Sequence, residues 1–262
     1  LRRRGFARRI LGVDRDPLHC EAAKRLGLVD ETMPLEEAVP QSDFVLVAVP
    51  VGASLQVLPR ILDLTTTQTV ADAGSTKQLV ADALRDHPRR RRFVASHPMA
   101  GTENSGPWAA LANLFDGKAG IICDAGDSDP DAVRLVEAMY RTLNMRLIRL
   151  TAAQHDEHVA YVSHISHVTS FALALTVLEK ELNQSTIFDL ASGGFSSTAR
   201  LAKSSPEMWT PIFCQNADNV LSVLDAYLGQ LHRFRDCLVQ RDADGLTRMI
   251  RSANSIRRVL NG

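Results

Sequence analysis

An α/β domain on a mostly parallel sheet, followed by an all-helical domain, is the fold class this sequence predicts. Three observations carry it. Up to about residue 150, short runs rich in β-branched residues alternate with helical stretches, the pattern of strand–helix–strand crossovers. One of those runs, 44–49, is continuously apolar, as a strand buried on both faces must be. No strand signal follows Leu150. The expected division is therefore 1–150 and 151–262.

The elements follow in order. A strand over 10–13 ends in Asp14, and a helix over 16–26 ends at Gly27, a plausible C-cap. The 44–49 strand is stopped by Pro50 and Gly52. A helix over 54–64 is expected to kink or split at Pro59. A strand over 69–73, a helix over 76–86 and a strand over 93–96 come next, the last ending at His97-Pro98. A strand over 119–123, a helix over 130–143 and a strand over 146–150 complete the first domain. Nothing breaks a helix over 152–182, where Val168, Phe171, Leu175, Leu178 and Leu182 mark an apolar face to be buried. A polar connection with a short helix fills 183–200, and helices follow over 206–238 and 243–260.

Composition narrows the function. Of 262 residues, 45% are apolar and 23% charged, which excludes a disordered or collagen-like chain. Thirty basic residues cancel thirty acidic ones, so no global field draws the protein to nucleic acid or an anionic membrane. The four-arginine run 89–92 lacks interleaved aromatics and reads as a solvated loop. The strongest apolar run, 44–51, is too short to span a bilayer, and no secretory signal is visible. Cys20, Cys123, Cys214 and Cys237 lie far apart, which fits a reducing cytoplasm.

In a parallel sheet, ligands bind outside the carboxyl ends of the strands. Here those ends carry Asp14, then Val49-Pro50 with Gly52, then Gly74-Ser75, then His97-Pro98. Asp14 is placed either to accept bonds from a dinucleotide's ribose hydroxyls or to cap a helix; Arg15 beside it can attract a phosphate, so NAD is favoured over NADP only slightly. Pro98 keeps His97 extended and aimed at the crevice, where an imidazole titrating near neutrality can accept a hydroxyl proton. Ser75 is placed to cap the next helix, to touch a ligand, or both. Ser163, His167 and Ser170 form a polar stripe that needs partners, water or a ligand. His155, His158 and His164 point around the helix in different directions and lack acidic or thiol partners at ligand spacing, which argues against a metal. Arg200, after Gly193 and Gly194, can fork onto a carboxylate or form a surface ion pair.

Four stretches carry a family resemblance: ADAGSTK (71–77), ASHPMAGTENSG (95–106), HDEHVAYVSHISH (155–167) and SGGFSSTARLAKSSPEMW (192–209). In order and spacing they closely resemble the prephenate and arogenate dehydrogenases of tyrosine biosynthesis, over essentially the whole chain. The resemblance implies a Rossmann domain binding NAD or NADP, a helical substrate and dimerisation domain, a cytoplasmic homodimer, and oxidative decarboxylation of a cyclohexadienyl ring. It implies that His97 draws the ring-hydroxyl proton and that Ser75 lies between nicotinamide and hydroxyl. Arg200 would anchor a substrate carboxylate, and Ser163 and His167 would reach the substrate side chain. Thr102 and Glu103 would line or gate the pocket, Glu103 attracting the amino group of arogenate, with Trp209 nearby.

Two departures from the family stand out. The glycine-rich phosphate loop is not among residues 1–9, which read like a helix end, so that loop and the first strand are expected upstream of Leu1. Where some members carry an acidic residue after Gly-Gly-Phe, this chain has Ser196 and Ser197, which puts an inter-subunit gate in doubt. The competing readings are a 3-hydroxyacid-type dehydrogenase, for which Lys180 and Lys203 are the only lysines in the helical half, and an inactive dimerising fragment. Without the phosphate loop, the 262 residues are expected to bind NAD weakly. Calorimetry checks this, and micromolar affinity would refute it.

Overall fold

The computed structural model describes residues 1–102, 104–182 and 185–259. By compactness the chain forms two units, Leu1–Asn216 and Ala217–Gly262.

The larger unit begins with β1 (Leu11–Gly12), α1 (Pro17–Arg25), β2 (Glu31–Thr32) and α2 (Leu35–Ala38). Asp16 caps α1, accepting the Leu18 N–H at 2.9 Å. β1 and β2 form a small parallel sheet of their own. Then come β3 (Phe44–Val47), α3 (Val51–Leu64), β4 (Thr69–Asp72), α4 (Gln78–Leu84), β5 (Phe93–Pro98), β6 (Ala119–Cys123), α5 (Pro130–Thr142) and β7 (Arg146–Leu150). These strands pair in the order β3-β4-β5-β6-β7, parallel except for β5 against β6. Leu58, Leu62, Val80 and Leu84 of α3 and α4 cover one face over Val70 and Phe93, and Val136 and Met139 of α5 cover the other over Ala71 and Val94. Burying each such side chain contributes roughly 1.5–3 kcal/mol.

Several expectations are corrected. α3 starts three residues early, at Val51, and runs unbroken through Pro59. β5 continues through His97 and Pro98, because Ser96, His97 and Pro98 pair with Ile122, Ile121 and Gly120 of β6. Glu31–Thr32 and Leu35–Ala38 form elements the sequence pattern did not reveal.

After Leu150 no strand follows among the described residues. The expected helix over 152–182 is α6 (Ala152–Val159), a π turn (Ala160–His164) and α7 (Ile165–Glu181). Thr151 and Gln154 start α6 with a reciprocal capping box. α8 (Gly193–Ala199) and α9 (Pro206–Gln215) complete this unit. The apolar face expected on this helix is buried only in part: Val168 and Phe171 are half-buried, while Leu175 is 60% and Leu182, just past the helix, 83% exposed.

The smaller unit is α10 (Ala217–Gln240) and α11 (Ala243–Ala253), so the helix expected over 206–238 is interrupted at Asn216. Arg241 makes the turn at positive φ (52°), and Asp242 caps α11 through the Gly245 N–H.

Candidate active site

The candidate site lies where β4 and β5 stop pairing. Their ladder has two pairs, Val70↔Phe93 and Ala71↔Val94. Beyond them the buried Asp72 side chain replaces the ladder, accepting the Ser96 N–H at 2.9 Å, while its backbone carbonyl accepts the Ser96 hydroxyl at 2.6 Å. Asp72 also accepts the Gly74 N–H and pairs with the fully buried Lys77 ammonium. A Cβ on Gly74 would lie 3.0 Å from the Asp72 carboxylate, so the turn needs glycine there. Removing one partner of such a buried pair costs about 3–5 kcal/mol, which makes this corner of the sheet stiff.

His97 leaves that corner on β5. Its Nδ1 lies 2.8 Å from His155 Nε2, and His155 Nδ1 lies 2.7 Å from Asp156 Oδ1. Both oxygens of Asp156 also accept backbone N–H groups at the start of α4, from Lys77 at 2.8 Å and Gln78 at 2.9 Å. Asp156, on α6, is therefore the cap of α4; Ser75, expected as a possible cap, is half-buried in the turn before it.

The π turn brings a second histidine to the same place. An α-helix turns about 100° per residue, so His155 and His164, nine apart, would face opposite sides. A π turn absorbs one extra residue and brings His164 back to within roughly 80° of His155. His164 is buried, accepts the Asn216 side-chain N–H at Nδ1 (3.1 Å), and meets the edge of Trp209. Trp209 stacks on His167, ring centroids 3.4 Å apart. His167 Nδ1 donates to the Ser163 carbonyl at 3.0 Å, and Ser170 donates to the Thr198 carbonyl. The Arg200 guanidinium, itself partnered, lies within electrostatic reach of His167 and depresses its pKa. His97 thus bonds His155, and His164, Trp209 and His167 touch in turn; Asn216 links the two groups by donating to both His164 and the Asp156 carbonyl, and Arg200 lies within electrostatic reach of His167. Gln215 fastens α9 to the crevice, accepting from Thr76 at 2.6 Å and donating to the Val51 carbonyl at 3.0 Å.

The four histidines share an electrostatic state. Burial pushes His97 well below its ordinary value, aided by His155, Lys77 and His164. That corrects the expectation of titration near neutrality: His97 is a neutral acceptor at physiological pH. Burial also lowers His155 and His167 and takes His164 to about 4.

The remaining predicted residues lie around this path. Asp14 and Arg15 are exposed at the end of β1. Asp14 accepts the Asp16 N–H at 2.8 Å and lies 3.4 Å from His19 Nδ1, while the capping role falls to Asp16. His19 meets Trp108 edge-on, so the segment after β5 reaches across to the Asp14 end. Val49 and Pro50 are exposed at the end of β3, Pro50 opening α3. Thr102 accepts the Asn104 N–H at 3.3 Å, and Glu103 lies outside the described residues. Sequence reasoning missed Asp72, Lys77, Asp156 and Asn216, and discounted His155 and His164; the HDEH stretch held the available signal. The residues present fit a dinucleotide in part: an exposed carboxylate, Asp14, follows β1, and a tight glycine turn, Gly74, follows β4.

Known proteins resemble this chain. Residues 1–149 match the family model "Prephenate dehydrogenase, nucleotide-binding domain", and residues 151–252 match "Prephenate dehydrogenase, dimerization domain". A prephenate dehydrogenase of Bacillus subtilis (strain 168) is 30% identical over 254 residues, 95% of this chain and 68% of the relative. A crystal structure of A. aeolicus prephenate dehydrogenase with hydroxyphenyl propionate and NAD+ superposes with TM-score 0.90 at 30% identity, covering 98% of this chain and 91% of the other. The Synechocystis arogenate dehydrogenase structure gives 0.76 at 26% identity, covering 98% and 92%.

The depressed histidines predict acid sensitivity. Below pH 6.5 the unfolded chain takes up protons that folded His97, His155, His164 and His167 refuse, so stability falls with pH until the folded groups also titrate, for His164 near pH 4. Thermal melts should show Tm dropping from pH 6.5 to 4, with a shallower drop in His164→Gln. Equal slopes would contradict the assignment.

Proposed function

The chain belongs to the prephenate dehydrogenase family, and from that premise we propose that it oxidatively decarboxylates prephenate, arogenate or both, with hydride transfer to NAD. The observation that carries the reading is the histidine cluster of His97, His155, His164 and His167 with Trp209, which has Arg200 within electrostatic reach at its far end.

NAD supplies the hydride acceptor when bound. Asp14 takes the ribose hydroxyls, and Val49, Pro50 and Ser75 border the rest of the cofactor along the sheet edge. Arg15, beside Asp14, leaves some room for NADP. Arg200 grips a substrate carboxylate with its planar fork, while Ser163, His167, Thr102 and Trp209 surround the side chain. His97 accepts a hydrogen bond from the ring hydroxyl and draws its proton as hydride leaves the same carbon. The ring carboxylate departs as carbon dioxide, its bonding electrons complete the aromatic ring, and the proton returns to the oxygen. Prephenate yields 4-hydroxyphenylpyruvate and arogenate yields tyrosine. Aromatisation drives the reaction, so the protein's main tasks are orientation and a neutral acceptor. A neutral His97 meets the second requirement without a partner base in water.

Residues 1–150 form the dinucleotide-binding part and 151–262 the substrate-binding and dimerisation part. A homodimer accounts for the exposed Leu175 and Leu178 of α7, Leu182 just past it and, on the smaller unit, the exposed Leu221, Leu231 and Leu238. Residues Ala152–Glu181 are long and apolar enough to cross a membrane by length and composition. That stretch holds the buried, polar His155 and Asp156, bonded to β5 and α4, which suits a helix of a folded cytoplasmic enzyme.

With NAD in large excess, NADH should form on adding prephenate or arogenate. His97→Asn should lower kcat by about 10²- to 10⁴-fold with the fold kept. Arg200→Lys should raise the substrate KM by roughly tenfold, since a single ammonium cannot reproduce the fork. No NADH from either substrate would overturn the proposal.

A further inference from the structure

A neutral imidazole can accept a hydroxyl proton only through the ring nitrogen that bears no hydrogen. We propose that His155 and Asp156 are positioning residues that hold His97 in the Nδ1–H tautomer, leaving Nε2 as the proton acceptor, while the same Asp156 carboxylate clamps the turn that carries Ser75. The inference rests on the dehydrogenase reading and adds what sets its base.

Elementary donor–acceptor logic gives the tautomer. An ionised carboxylate only accepts, so the 2.7 Å contact with Asp156 requires the hydrogen of His155 to sit on Nδ1. His155 is fully buried beside the Lys77 ammonium and is neutral, so its Nε2 carries a lone pair. That lone pair lies 2.8 Å from His97 Nδ1. Two lone pairs cannot face each other at that distance, so His97 Nδ1 carries the hydrogen and donates. His97 is neutral as well, which leaves its Nε2 bare.

The other half of the proposal is steric. The turn between β4 and α4 is pinned at both ends by buried carboxylates. Asp72 accepts the Gly74 N–H at 3.1 Å, and Asp156 accepts the Lys77 and Gln78 N–H groups. Ser75 lies between these anchors. One carboxylate on α6 therefore sets both groups assigned to the ring hydroxyl, His97 through His155 and Ser75 through the turn. Asn216 holds Asp156 from behind, donating to its backbone carbonyl at 2.7 Å.

A hydrophobic residue in place of His155 would leave His97 Nδ1–H and one Asp156 bond without partners. A glutamine would span the same gap, its oxygen accepting from His97 and its N–H₂ donating to Asp156. Asparagine in place of Asp156 could not accept all three hydrogens, from His155, Lys77 and Gln78, because its N–H₂ would face a backbone N–H in either orientation.

The first test needs no activity. In the full chain labelled with ¹⁵N-histidine, the His97 signals, identified by their loss in His97→Asn, should show a protonated Nδ1 and a bare Nε2. The opposite pattern overturns the proposal even if the His155 variants misfold. The second test is kinetic. In folded His155→Leu, kcat should fall by about 10- to 100-fold with KM for NAD and substrate within about twofold, while His155→Gln should recover most of the rate. A Leu variant with wild-type kcat, or a Gln variant no better than Leu, overturns it too. If the wild-type chain makes no NADH while the His97 tautomer is as stated, the dehydrogenase reading fails and the positioning relation stands.

Discussion

One buried carboxylate ties the two layers of this protein together at the point where chemistry is possible. Asp156 lies on the first helix after the sheet, yet its bonds run back to the start of α4 and, through His155, to β5. A carboxylate taken out of water costs several kcal/mol unless its lone pairs are filled. Here a helix N-terminus and an imidazole N–H fill them, and the helix dipole adds to the attraction. Filling those lone pairs requires α6 to sit against α4 at one depth and one rotation. The distance between the sheet edge and the helices that carry His164, His167 and Arg200 follows from that requirement.

A second carboxylate does the complementary work inside the sheet. Asp72 takes over from the β4–β5 ladder at its last pair, so the strands can part without orphaning the Ser96 N–H. Parting is what creates a crevice. The Lys77 ammonium that balances Asp72 also helps keep His97 and His155 uncharged, so one ion pair shapes the cleft and tunes the base beside it. Electrostatics and geometry are coupled here because every group in the cluster is poorly solvated.

The sequence announced the strands of the main sheet well, because short apolar runs such as Phe44–Val47 and Ala119–Cys123 suit little besides a strand, although Phe44–Val47 proves to be an edge strand with Leu46 exposed rather than one buried on both faces. It announced His97 because a histidine before a proline at a strand end is hard to place in a core. Glu31–Thr32 stayed hidden, since a two-residue polar strand has no periodicity to detect. The π turn stayed hidden for a deeper reason. Helical templates assume 3.6 residues per turn, and on that assumption His155 and His164 diverge. Within one chain the face of Val168, Phe171 and Leu175 is only partly covered, while His164, His167 and Ser170 beside it are buried. Asp156 was illegible because a cap contributed from 78 residues away leaves no local signature.

The central claim is spatial: His97 and Arg200 must bracket a single six-membered ring. A crystal structure of the chain soaked with NAD and hydroxyphenyl propionate measures it directly. The account predicts the phenol oxygen within about 2.6–3.2 Å of His97 Nε2 and the propionate carboxylate on the Arg200 guanidinium. A ring bound elsewhere, or one whose hydroxyl points away from His97 with Arg200 turned outward, would contradict it.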